Sequence, residues 1–92
     1  DYEKNTGIVI VKHFAENDIN PMDIPGALQL HHAPFTWGTS ALKSLENSIA
    51  LENCAKMAID SWKMNPNLCA IPQYILDKHF LRKHGPDSYY GQ

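Results

Sequence analysis

Residues 25–38 read PGALQLHHAPFTWG, and the way this stretch folds decides how the rest of the chain is arranged. Ala27 to His32 forms a short strand candidate. Ala33-Pro34 interrupts it, and Phe35-Thr36-Trp37 forms a second extended segment that stops at Gly38. On a strand, neighbouring side chains point to opposite faces. His31 and His32 are therefore not expected to chelate one metal together, and at most one of them faces a site. A catalytic zinc takes three protein ligands and keeps one position open. This pair supplies one at most. Two ordinary histidines at a strand end are the commoner reading of the pattern alone.

Upstream, residues 17–26 (NDINPMDIPG) are a loop, because two prolines, a glycine and Asp/Asn residues crowd it. Residues 6–16 are open to two readings. The run Ile8-Val9-Ile10-Val11 favours a strand by β-branching. A cap at Thr6, and the length through Phe14-Ala15-Glu16, favour a helix. Downstream, Thr39 or Ser40 caps a helix, and residues 41–62 hold neither Gly nor Pro. Leu42, Leu45 and Ile49 make one apolar stripe, and Ala50, Cys54, Met57 and Ala58 make another, so this helix is expected between packed layers. Residues 63–71 form a linker. Pro72 suits the first turn of a last helix, and Gly85-Pro86 stops it.

That last helix carries the second group of polar residues. His79 lies three residues before Arg82 and four before Lys83, so they share a face, and Lys78 adds to the charge. Cations at a helix C-terminus are favourable with the helix dipole, which is the plainer explanation. The same cluster suits an anion such as phosphate. In the tail, Tyr89 and Tyr90 are phenols, which act as general acids where their surroundings allow. Near a chain end a tyrosine is more often a docking residue. Trp37 and Trp62 are expected to pack in a core or an interface.

The bulk properties bound the function. With 92 residues, 43% hydrophobic and 20% charged, the chain is one ordinary small globular unit. A net charge of −2 argues against a general nucleic-acid or membrane-surface binder. Cys54 and Cys69 lack zinc-ribbon spacing and are too few for a disulfide scaffold, so both are read as reduced. The longest aliphatic run, residues 8–11, is too short to span a bilayer, and the opening residues have no signal-peptide layout. Asp1-Tyr2-Glu3-Lys4 reads as the middle of a longer chain. No nucleophile elbow, P-loop or dinucleotide fingerprint is present, and Gly7, Gly26 and Gly38 are too scattered to cradle phosphates.

Two strings in this order resemble one family. Residues 25–38, with His32-Ala33-Pro34-Phe35-Thr36-Trp37-Gly38, resemble the zinc-ligand strand of L-ribulose-5-phosphate 4-epimerases of the class II aldolase/adducin-like type. Residues 76–92, LDKHFLRKHGPDSYYGQ, resemble that family's final helix and terminus, and residues 47–52 also fit. The resemblance implies the C-terminal portion of a single α/β class II aldolase-like domain over residues 1–92, with the N-terminal portion missing. Its part of the α/β/α layered fold is a helix over roughly 6–16, two antiparallel strands around 27–37 and two more helices.

By this resemblance His32 matches a Zn2+ ligand, one of three expected. Tyr90 matches a catalytic acid/base. His79 matches a histidine near the active site, contributed across a subunit interface, and Arg82 is a substrate-binding candidate on the same face. His31 matches no ligand. Ala33 stands where many members have glycine, which touches nothing catalytic. The other two zinc histidines, in a His-x-His motif, the phosphate loops and a catalytic aspartate have no match here. The implied activity is interconversion of L-ribulose 5-phosphate and D-xylulose 5-phosphate by retro-aldol chemistry, in a cytoplasmic homotetramer that uses neither nucleic acid nor membrane. The portion alone is expected to be inactive. An L-fuculose-phosphate-type aldolase portion and a non-catalytic adducin-like interaction domain are the alternatives.

Overall fold

The computed structural model describes residues 1–87. Along them run α1 (Tyr2–Glu16), β1 (Gly26–Leu28), β2 (Pro34–Thr36), α2 (Ala41–Met64) and α3 (Gln73–His84). Three helices and a two-stranded antiparallel sheet make an α/β arrangement. They divide into two compact units, Asp1–Asp60 and the residues from Ser61 onward.

The segment that pattern left open is a helix, and it begins earlier than expected, at Tyr2. Thr6 is not its cap. The Thr6 hydroxyl donates to the Tyr2 carbonyl one turn back, at 3.0 Å. β-Branching costs a helix only a few tenths of a kcal/mol per residue, roughly, so packing decides. The decisive contact is Phe14, 8% exposed, whose ring meets Trp37 edge-on at 5.4 Å between centroids. The helix closes in a Schellman motif. Asp18 takes the left-handed conformation (φ 53°), its N–H donates to the Ala15 carbonyl, and the Ile19 N–H donates to the Phe14 carbonyl at 2.9 Å.

The hairpin pairs Gly26 with Thr36, Ala27 with Phe35 and Leu28 with Pro34. Both strands are shorter and shifted relative to the expected ones. Pro34, read as an interruption, opens β2, where its missing N–H costs the ladder least. The chain leaves β1 after Leu28 and turns. The His32 N–H donates to the Gln29 carbonyl at 3.1 Å, and His31 sits at positive φ (61°). His31 and His32 are therefore turn residues. The strand alternation invoked to separate their side chains does not operate there.

The start of α2 is fastened to β2 by side chains. Ser40 caps the helix by accepting the Lys43 N–H at 3.1 Å. Thr36 and Ser44 exchange bonds, each hydroxyl donating to the other's carbonyl at 3.1 Å. The Asn47 amide donates to the Trp37 carbonyl at 2.8 Å, and the Trp37 indole N–H donates to the Pro21 carbonyl at 2.7 Å. Gly38 lies between these bonds, and a Cβ there would stand 3.0 Å from the Ser44 nitrogen. Farther along, α2 buries none of its residues. Leu42, Leu45, Ile49 and Met57 are exposed, so the described residues do not supply the layers expected on either side of its stripes.

In the second unit, the Asn65 side chain accepts the Asn67 N–H at 3.1 Å and starts the linker. Pro72 is the N-cap of α3, with extended ψ (142°), one position outside the helix rather than in its first turn. The Gly85 N–H closes the helix on the Leu81 carbonyl at 2.8 Å. Trp62, expected to pack, is 60% exposed. Cys54 and Cys69 are free thiols on the surface. No helix among the described residues is long and apolar enough to cross a membrane.

Candidate functional site

The tip of the hairpin presents His32. The five residues from Gln29 to Ala33 join β1 to β2, and the Gln29 N–H donates to the Ala33 carbonyl at 3.2 Å across the base of the turn. This puts the His32 imidazole on the surface, in an open depression that Gln29, Leu30 and Pro34 also line. Its Nδ1 lies 3.4 Å from the Tyr2 hydroxyl, long for a hydrogen bond. Either the phenol or the ring N–H is the donor, according to tautomer. The Tyr2 ring meets the imidazole edge-on at 5.7 Å, and the Phe35 ring lies 5.5 Å from it, tilted by 31°. Among the described residues no bond to Nε2 is observed. Beside the turn, the Gln29 side-chain oxygen is buried without a hydrogen-bond partner among the described residues.

This donor set has the form of one metal ligand: an exposed imidazole with one nitrogen engaged and one open. It has the form of no more than one. Among the described residues no three His, Cys, Asp or Glu side chains are gathered as a metal site. His31, one residue away, is exposed and lines the same depression.

His79 and Arg82 belong to the second unit. His79 and Arg82 lie one turn apart on α3, His79 exposed and Arg82 half-buried. Phe80 stacks on His84 at 4.5 Å, and the Gln73 amide donates to Asp77 at 2.8 Å. The basic residues Arg82, Lys83 and His84 occupy the last turn, where the helix dipole favours them. Tyr90 lies outside the described residues. Sequence reasoning missed Tyr2 as a neighbour of His32. The two are 30 residues apart, and no local spacing signals the contact.

No family model matches the chain. No solved structure matches it. Among curated proteins it is 44% identical over 92 residues to L-ribulose-5-phosphate 4-epimerase UlaF of Salmonella paratyphi C (strain RKS4594), covering 100% of this chain and 40% of that protein. The relative of the same name from Salmonella choleraesuis (strain SC-B67) gives the same figures. That from Salmonella typhi is 42% identical over the same 92 residues, again 40% of its length. The chain thus spans about two fifths of the length of the curated relatives it matches. Over its whole length, it is similar to the carboxy-terminal part of L-ribulose-5-phosphate 4-epimerases.

Proposed function

We propose that the protein containing these residues is a zinc-dependent L-ribulose-5-phosphate 4-epimerase. One observation carries this reading: 44% identity to an enzyme of that name along all 92 residues, without a segment left over. On this reading His32 is one of three zinc ligands, Tyr90 a catalytic acid/base, His79 an active-site histidine and Arg82 a weaker, substrate-binding candidate. Residues 1–92 are one part of an α/β/α layered class II aldolase-like domain, and four copies of the whole make a cytoplasmic tetramer. The exposed apolar stripes of α2 suit a helix that other layers cover.

The substrate's own chemistry sets what the residues must do. The inverted carbon, C4, carries a hydroxyl β to the C2 ketone, so removal of a proton next to the carbonyl does not reach it. Breaking C3–C4 does. The C4 oxygen loses its proton as the bond breaks, leaving a three-carbon enediolate and a two-carbon aldehyde phosphate. The aldehyde rotates, the bond re-forms on its other face, and the oxygen regains a proton. The proton leaves from one face and returns on the other, so two acid/base groups are needed. Tyr90 supplies one, and the second comes from outside this chain. Zinc, when bound, supplies Lewis acidity toward the carbonyl. With one ligand of three and one acid/base of two, residues 1–92 alone are inactive.

The full-length protein, assayed separately on L-ribulose 5-phosphate and L-fuculose 1-phosphate, tests the reading. Formation of D-xylulose 5-phosphate, with no cleavage of the fuculose phosphate, is expected. Cleavage of the latter without epimerisation makes the protein an aldolase, and turnover of neither by a zinc-free protein makes it a binding domain.

A further inference from the structure

An imidazole that binds a metal must be neutral, with a lone pair on one nitrogen and a proton on the other. An exposed histidine left to itself divides between two tautomers and turns freely about its broad χ2 torsion. His32 is exposed, yet it is not left to itself. The Tyr2 hydroxyl lies 3.4 Å from Nδ1, with the two rings edge-on at 83°, and the Phe35 ring restrains the imidazole as well. We propose that Tyr2 is a positioning residue for His32: its phenolic oxygen accepts the Nδ1 proton, which leaves Nε2 as the lone-pair donor toward the metal. This rests on the reading of His32 as a zinc ligand.

Tyr2 is suited to the task because of where it sits. It is the first residue of α1, and its carbonyl is held by the Thr6 hydroxyl at 3.0 Å. The Asn5 N–H bonds to the Asp1 carbonyl at 2.9 Å and closes the same first turn. The hydroxyl therefore reaches the tip of the hairpin from a regular helix. Two of the turn's own carbonyls are already engaged: that of Ala33 accepts the Gln29 N–H, and that of Gln29 accepts the His32 N–H. Packing and positioning are separable at this residue. Phenylalanine keeps the edge-on ring contact and removes the oxygen alone.

The full-length protein carries the test, with zinc affinity measured by competition against a chromophoric chelator. Tyr2→Phe is expected to weaken zinc binding roughly 10- to 100-fold, as loss of a partner behind a metal-bound histidine does. Its melting temperature without metal stays that of the wild type. In metal-free protein labelled with ring-15N histidine, His32 shows the Nδ1–H tautomer in the wild type and a mixture in Tyr2→Phe. Unchanged zinc affinity in Tyr2→Phe, when His32→Asn has lost zinc, overturns the positioning role and leaves the ligand reading standing. Wild-type affinity in His32→Asn overturns the ligand reading and the positioning role with it. A weakened affinity in Tyr2→Phe accompanied by a lowered melting temperature also counts against positioning, since a loosened fold accounts for both.

Discussion

The hairpin region and the final helix reach their shapes by different means. Around the hairpin, long-range side-chain bonds to main chain do the fixing: Trp37 to Pro21, Thr36 with Ser44, and Asn47 to Trp37, all between 2.7 and 3.1 Å. Phe14 and Trp37 close the middle of the region. α3 instead displays contacts within one turn, Gln73 with Asp77 and Phe80 with His84, and it buries none of its residues. A bond between distant residues holds a loop where a site needs it. A bond within a turn only steadies a helix that already exists. The candidate residues differ accordingly in how far this chain orients them by itself. It orients His32, whereas it presents His79 on a helix face.

Substitutions that break the contrast should rank accordingly in denaturant titrations of the full-length protein. Phe14→Ala removes the one buried apolar side chain among the described residues and should cost about 3 kcal/mol. Gly38→Ala should cost about 2 kcal/mol, because its Cβ meets the Lys43 side chain and the Ser44 nitrogen at 3.0 Å at the junction of β2 and α2. His31→Gly should raise stability by about 1 kcal/mol, since it relieves a left-handed residue at φ 61°. A loss of stability there would mean that the histidine side chain holds the turn. In the other region, Gln73→Ala should cost about 0.3 kcal/mol, as expected of one exposed i,i+4 bond. A loss from Gln73→Ala as large as that from Gly38→Ala would erase the distinction.

What was legible in the sequence divides along the same line. Ser40, the absence of Gly and Pro over residues 41–62, Pro72 and Gly85 are local signals, and they located α2 and α3 to within two residues of their observed ends. The coarse order of helix, two antiparallel strands and two helices was also legible, although pattern alone left residues 6–16 open. The resemblance tipped them to helix. The hairpin turn was not legible: whether Pro34 ends a strand or begins one depends on which residue it pairs with, and Leu28 lies six residues away. Nor were Phe14 with Trp37, or Tyr2 with His32, because pairs 23 and 30 residues apart carry no spacing signal. His32 is singled out by the residues that follow it, whereas strand alternation does not separate it from His31, since both lie in a turn.

On the proposed function, His32 belongs to the active site of a sugar-phosphate epimerase of which this chain is one part. The most direct measurement is turnover of L-ribulose 5-phosphate by the full-length protein and by its His32→Asn variant, at equal folded concentration. The wild type is expected to form D-xylulose 5-phosphate, and the variant to fall to background. A variant that keeps wild-type turnover would contradict it.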